Sequence, residues 1–355
     1  MNKDPFERLA DALDKLPNGF PRTPTKVEIL ILKKLFSEAE AALASELTGT
    51  YEPVTALAQR LGLAEDELKS RFLDLARQGF VWLSRKDSKL AFRLAPFIVG
   101  IYESSLEKMD HELAHLVEEY LEQGGAEGIM KPQPALHRVI PAQRAVKSEW
   151  ILPYDDIKAM LDKAKSFSVR DCICRVQQDM LKSRRCDFSL KNCVSFSPVD
   201  RPSRPNDITR EEALAILDEA ERVGLVHCVS NVIKDVFYVC NCCGCCCGVL
   251  RGITDWGIEE SVARANYHAQ VNADECNGCG LCVERCQVSA ITLEDVAVVA
   301  PDKCIGCGLC VSGCPVEAVV LERKTDAELT HPPDDFRAWE KMRLENRGLD
   351  VKKSG

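Results

Sequence analysis

The spacing of apolar residues changes character along the chain. The stretch TKVEILILKKLF repeats apolar residues at helical intervals and predicts an amphipathic helix. TYEPVTALAQRLGL and AEDELKSRFLDLARQGF predict two more helices about a turn containing Gly62. FVWLSRKDSKLAFRLA then alternates apolar and polar positions, which predicts two strands about the polar turn KDSK. From Tyr102 to Gln123 the period is again helical, with Leu106, Leu113, Leu116, Val117 and Leu121 near one face. Gly124 and Gly125 are expected to end that helix, and GGAEGIMKPQPAL reads as a linker.

The second half alternates strand and helix. PYDDIKAMLDKAKS predicts a helix with Pro153 in its first turn, and FSVRDC a short strand that delivers Cys172. ITREEALAILDEAERVG carries a helix start, Thr209 with Glu212 three residues on, and a stop at Gly224. DVFYVC predicts a strand feeding Cys240. ITLED and AVVLE read as short strands, and DDFRAWEKMRLENRG as a short helix with Phe336, Trp339 and Met342 on one side. The expected class is α+β and multidomain. It comprises a mostly helical front (1–100), a helix and linker (101–135), an α/β cysteine-rich middle (136–262), a C-terminal domain (266–324) and a charged tail (325–355).

Cysteine changes the picture. The chain has 19 among 355 residues, none before Cys172. In YVCNCCGCCCG, six of the eight residues from Cys240 to Cys247 are cysteine. A disulfide wants Cα atoms roughly 4.4–6.8 Å apart, and chain neighbours sit about 3.8 Å apart, so adjacent cysteines here pair poorly. The start, MNKDPFERLADALDKLPNGF, has no apolar secretory core, and no apolar run approaches the length of a membrane span. The expected location is the cytoplasm, where thiols stay reduced and crowded thiolates hold metal.

The strongest motif is a duplication. CNGCGLCVERC (276–286) and CIGCGLCVSGC (304–314) share the spacing C-x2-C-x2-C-x3-C. The second copy follows the first by 28 residues, and Val288, Ala290, Leu293 and Glu294 recur as Val316, Ala318, Leu321 and Glu322. Three cysteines in a tight Gly-containing loop can wrap one Fe4S4 cube, while the fourth reaches the other cube. One cluster is therefore expected on Cys276, Cys279, Cys282 and Cys314, the other on Cys304, Cys307, Cys310 and Cys286. Gly278, Gly280, Gly306 and Gly308 let the backbone turn around them. The competing reading is two zinc knuckles. Residues 266–324 closely resemble the bacterial two-cluster ferredoxin domain, with one departure, Gln287, where that family usually has proline.

Eleven cysteines lie outside the duplication: Cys172, Cys174, Cys186, Cys193, Cys228, and Cys240, Cys242, Cys243, Cys245, Cys246 and Cys247. They suffice for two more cubanes, for one cubane and a zinc site, or for one larger cluster. Further iron–sulphur, zinc, and free cysteines all remain open. Arg175 follows C-I-C directly and can donate to a cluster sulphur, bind an anion, or lie at the surface. His227 reads as a core or surface histidine before a ligand, and KSRR (182–185) as a solvated face.

Net charge is −9, which argues against a large nucleic-acid footprint. Residues 25–95 resemble a winged helix-turn-helix. Its second helix offers Lys69, Arg71 and Arg77 beside Glu65, Asp66, Glu67 and Asp74, a balance that suits protein interaction over DNA. No G-x-G-x-x-G following a strand and no Walker loop is present. The segments KLPNGFP, PFIVGIYE, DCICR and NCCGCCCG, with the two ferredoxin runs, resemble a family of iron–sulphur proteins from anaerobic microbes. That resemblance implies electron transfer in anaerobic redox metabolism. The expected function is an electron carrier or redox subunit passing electrons between the C-terminal clusters, the middle cysteine site and a partner oxidoreductase. The alternatives are a redox-sensing regulator and a reductase with its active site in the middle.

Overall fold

The computed structural model describes residues 3–86 and 89–349. It divides into two compact units, and the chain passes between them four times, at Gln133/Pro134, Arg175/Val176, Lys182/Ser183 and Trp339/Glu340. Among the described residues no helix is long and apolar enough to cross a membrane.

In the first unit the helix Val27–Leu35 forms as the period predicts and buries Val27, Ile29, Ile31, Leu32 and Leu35. Helices Glu38–Ala44, Val54–Leu61 and Glu65–Arg77 follow. Strands β1 (Glu52–Pro53), β2 (Val81–Lys86) and β3 (Lys89–Leu94) make an antiparallel sheet in the order β1-β3-β2. Two residues of the KDSK turn, 87 and 88, lie outside the described residues.

The long helix expected from Tyr102 to Gln123 is broken. A short helix Tyr102–Ser104 and a turn Leu106–Lys108 come first. The side chain of Asp110 then accepts from Leu113 N at 2.8 Å and starts a new helix, His111–Tyr120. A side-chain cap of this kind offers the backbone an alternative to continuing the preceding turn. The expected linker is not one. Gly124, at φ 108°, only kinks the chain, and Ala126–Met130 is helical with Ala126, Ile129 and Met130 buried. The apolar residues of GGAEGIMKPQPAL therefore belong to packing.

The second unit is built on a seven-stranded sheet. Its strands are β4 (His137–Ile140), β5 (Ser166–Asp171), β6 (Lys191–Ser197), β7 (Asp207–Ile208), β8 (Val226–Ser230), β9 (Tyr238–Cys242) and β10 (Val262–Ala263). The order is β10-β4-β8-β9-β6-β5-β7. Only β10 and β4 pair in parallel. Phe167, Val194, Phe196 and Val239 pack with Ile157, Leu161, Ala213 and Leu217 in one core. Because strand side chains alternate between faces, Cys193 and Cys240, directly paired, project to the other face. The helix Arg210–Val223 has the capping box of Thr209 and Glu212 and ends at left-handed Gly224, as its sequence predicts. The helix expected over 153–166 is shorter, Ile157–Asp162, because Asp156 caps it by accepting from Ala159 N at 2.9 Å.

The C-terminal duplication forms two hairpin-like pairs. β11 (Tyr267–Val271) pairs antiparallel with β14 (Val319–Arg323), and β12 (Ile291–Leu293) with β13 (Ala297–Val299). One-turn helices Leu281–Glu284 and Leu309–Ser312 each follow a left-handed glycine, Gly280 at φ 78° and Gly308 at φ 72°. The terminal helix Phe336–Asn346 buries Trp339, Arg343 and Leu344 and sets the Phe336 ring 5.8 Å from that of Phe237, while Met342 is exposed, so the expected face packs only in part.

His137 gives this unit a pH dependence. It is buried on β4 opposite Ser230, with its ring 5.6 Å from that of Tyr238. Neither ring nitrogen has a hydrogen-bond partner among the described residues. Burial pushes its pKa from 6.5 down to about 4. The stability this contributes is complete above pH 6.5 and is lost as pH falls towards 4, where the unfolded chain binds a proton the folded one refuses. Denaturant unfolding of the metal-loaded protein should show His137→Phe losing about 2 kcal/mol less than wild type between pH 7.5 and 5.

Candidate metal centre

Four cysteines converge where the chain leaves β9. Cys243, Cys245 and Cys246 lie on the turn after the strand, and Cys186 comes from the segment before β6. Their four sulphurs all lie within 4.8 Å of one another. Cys186 is 3.9 Å from Cys243 and 3.7 Å from Cys246, and Cys245 is 3.6 Å from Cys246. No other group of three or more His, Cys, Asp or Glu among the described residues is gathered so tightly. A tetrahedral ion with metal–sulphur bonds of about 2.3 Å sets its four sulphurs about 3.8 Å apart.

Arg175 serves this quartet. It is fully buried, not at the surface. Its Nη1 donates to Ser189 O at 3.0 Å, and its Nη2 to Asn241 O at 2.9 Å and to Cys243 Sγ at 3.7 Å. Thiols of Cys245 and Cys246 donating to Cys243, with Arg175 beside it, hold Cys243 well below the ordinary thiol range. The same contact with Cys243 pushes Cys245 up to about 12 and drives Cys246 upward.

The other seven middle cysteines form a separate, more extended group. Cys172 lies against Cys174, Cys174 against Cys247, Cys247 against Cys242, Cys242 against Cys240, and Cys240 against Cys193. Cys228 also touches Cys242. Sheet register accounts for the heart of this group, since Cys240 stands between Cys193 and Cys228 on adjacent strands. Cys172 is fixed at the end of β5 by its N–H donating to Leu190 O at 2.7 Å. The Cys228 contact, with burial, pushes Cys242 up to about 12.

In the duplicated region, Cys286, Cys304, Cys307 and Cys310 line one cavity with Gly308, Ile305 and Leu309. Burial, with Cys304 and Cys286 nearby, pushes Cys310 up to about 12. Cys276 and Cys279 lie close to Cys282 on the first loop. Cys314 packs at the rim of the apolar core that contains Cys282 and Cys310. The loops differ in depth: Cys279 is exposed, whereas the second loop is covered by residues 142–145. Cys307 O accepts from Ala142 N at 2.9 Å, and a Cβ on Gly308 would stand 2.6 Å from Ala145 Cβ.

Residues flanking Cys286 join this region to the middle module. Arg285 donates to Leu309 O at 2.8 Å, Arg222 O at 2.9 Å and Glu221 O at 2.8 Å. The amide of Gln287 donates to Gly224 O at 2.8 Å and accepts from Gly244 N at 2.9 Å. A Cβ at Gly244 would stand 1.9 Å from Gln287 O. The glycine inside the cysteine run is therefore required by close packing, and proline at 287 would have no amide to offer. His227 is buried in a polar network, 2.6 Å from Asn241 Oδ1 and 3.5 Å from Glu221 Oε1. Gln287, Asn241 and Glu221 carried no chemical signal in the sequence beyond the missing proline.

Residues 269–321 match a protein-family model described as a 4Fe-4S dicluster domain. No curated protein and no solved structure matches the chain. The C-terminal region is thus an iron–sulphur domain of ferredoxin type, beside a cysteine cluster suited to a further metal.

Gln287→Ala should lower stability by about 1–3 kcal/mol, since it leaves Gly244 N and Gly224 O without this partner. Gly244→Ala should cost about as much by overpacking. Thermal unfolding of both variants under anaerobic conditions checks this.

Proposed function

We propose that this protein is an electron-transfer protein or redox subunit. Its C-terminal domain would hold two [4Fe-4S] clusters, one on Cys276, Cys279, Cys282 and Cys314, the other on Cys304, Cys307, Cys310 and Cys286. Such clusters supply one-electron steps over a wide range of potential. The observation that carries the reading is continuity of the protein between the two cysteine regions. A single apolar core contains Cys228, Cys242 and Cys247 together with Cys282 and Cys310, with Cys240, Cys286, Cys304 and Cys307 at its rim. Cys228 and Cys307 are close enough to interact electrostatically. The apolar walls exclude water from this path, and Ala290 N donates to Cys286 Sγ at 3.1 Å, a contact that stabilises added negative charge on the sulphur.

The front unit serves as a docking module in this reading. Its helices and its β1-β3-β2 sheet agree with a winged-helix arrangement. Arg71 and Arg77 on Glu65–Arg77 are paired with Glu67 and Asp74, which favours a protein partner, an oxidoreductase, over a phosphate backbone. The cytoplasm, with its reduced thiols, suits these sites.

A second reading, a reductase acting at the middle site, is favoured by one feature. A cleft of about 890 Å³ is lined by Ser195 and Ser197, on the strand that carries Cys193, and by Lys163, Arg201, Arg204 and Lys234. Its size falls in the range of small-molecule sites.

Anaerobically purified protein should contain about eight irons in the C-terminal domain alone. Cys307→Ala and Cys279→Ala should each remove about four of them. Cys307→Ala should also abolish reduction of the middle site by a low-potential donor. Unchanged electron delivery in a variant lacking both C-terminal clusters would overturn the carrier reading.

A further inference from the structure

We infer that the eleven middle cysteines build two metal sites of different kinds. A single tetrahedral ion sits on Cys186, Cys243, Cys245 and Cys246, and a polynuclear iron–sulphur cluster draws its thiolates from Cys172, Cys174, Cys193, Cys228, Cys240, Cys242 and Cys247. The inference deepens the iron–sulphur reading above and rests on it.

Three observations separate the sites. The quartet's sulphurs all lie within 4.8 Å of one another, and three of the six separations, 3.6 to 3.9 Å, match the edges of one tetrahedron around one ion. A cubane interposes four irons between its thiolates, which then stand farther apart. Among the seven other cysteines no group of three is gathered so tightly, and Cys193, Cys240 and Cys228 are spread over three adjacent strands; seven also exceed the four that one tetrahedral ion accepts. A string of thiols too numerous for one ion, and spread too far, suits several metal atoms bridged together.

The apolar packing draws the same boundary. Cys243 and Cys246 share a small core with Ala220 and Leu225, with Cys186, Phe188, Val223 and Cys245 at its rim. Cys228, Cys242 and Cys247 belong instead to the core that contains the ferredoxin-type cysteines. The division cuts the run NCCGCCCG between neighbours, at Cys242/Cys243 and again at Cys246/Cys247. Strand geometry explains the first cut. Cys240 and Cys242 share one face of β9, and the chain leaves the strand at Cys243.

Arg175 stands at the boundary. Its guanidinium holds Asn241 O of β9 and Cys243 Sγ, and its charge also acts on Cys172 and Cys242. It offsets part of the thiolate charge of both groups. The quartet is the structural member of the pair, and the group of seven, continuous with the ferredoxin core, is the redox member.

The test is metal analysis of the full-length protein, purified without oxygen. In wild type, the expected result is one equivalent of zinc, or of isolated iron, in an all-sulphur shell at about 2.3 Å by X-ray absorption, with iron beyond the eight of the C-terminal domain. Cys186→Ser with Cys245→Ser should remove that one equivalent and leave the extra iron. Cys240→Ser with Cys242→Ser should remove the extra iron and leave the single ion. The inference is overturned if wild type holds no metal beyond eight irons, or if either double variant empties both sites while the C-terminal EPR signals persist. Should a variant fail to fold, the wild-type absorption spectrum and iron count decide. Loss of the eight irons themselves from wild type would instead refute the ferredoxin-type reading.

Discussion

The second unit is organised by a charge problem. Eleven thiols are gathered in a largely apolar interior, and metal binding needs them ionised. Two thiolates about 4 Å apart repel by about 4 kcal/mol at an effective dielectric of about 20. A fixed cation at hand is Arg175, which is buried against Cys243. One guanidinium cannot offset four thiolates, much less eleven. Under the metal-site reading, most of these groups would reach their charged form only with metal present, so that binding and folding would be linked. The sheet, the cap at Thr209 and the Gln287 bridge hold this assembly in register.

Much of that assembly was legible in the residues. The capping box of Thr209 and Glu212, the strand feeding Cys240 and the paired runs at 276–286 and 304–314 are local signals, and the structure has the corresponding elements. The break after Ser104 and the helix Ala126–Met130 were not legible. Glycines announced a stop there, but long-range burial of Ile129 and Met130 won over local propensity. The grouping of the middle cysteines was hidden for a similar reason. Spacing along the chain does not report that Cys186 meets Cys243 across 57 positions, nor that Cys193 faces Cys240. Strand register makes the second meeting, and the first is made by the segment before β6 folding onto the turn that leaves β9.

Gln287 illustrates how a departure from pattern becomes informative once packing is visible. A proline after the fourth cysteine shapes a turn. Glutamine keeps the turn and adds a hydrogen-bonded tie to Gly244 and Gly224. With Arg285 holding Glu221 O and Arg222 O, the residues on both sides of Cys286 anchor one cysteine-rich region to the other. What a free-standing carrier would leave mobile is here a fixed geometry, so the separation between the two regions is set by the chain itself and not by diffusion.

The unequal depth of the two C-terminal loops has a consequence for handling the protein in air. Cys279 meets solvent, whereas Cys310 is buried and Cys307 lies beneath residues 142–145. Oxygen and chelators reach the outer loop first, and damage proceeds inward from there. Under the two-cluster reading, a partly degraded sample would thus resemble a protein with a single C-terminal cluster, and its composition would record exposure history more than native stoichiometry.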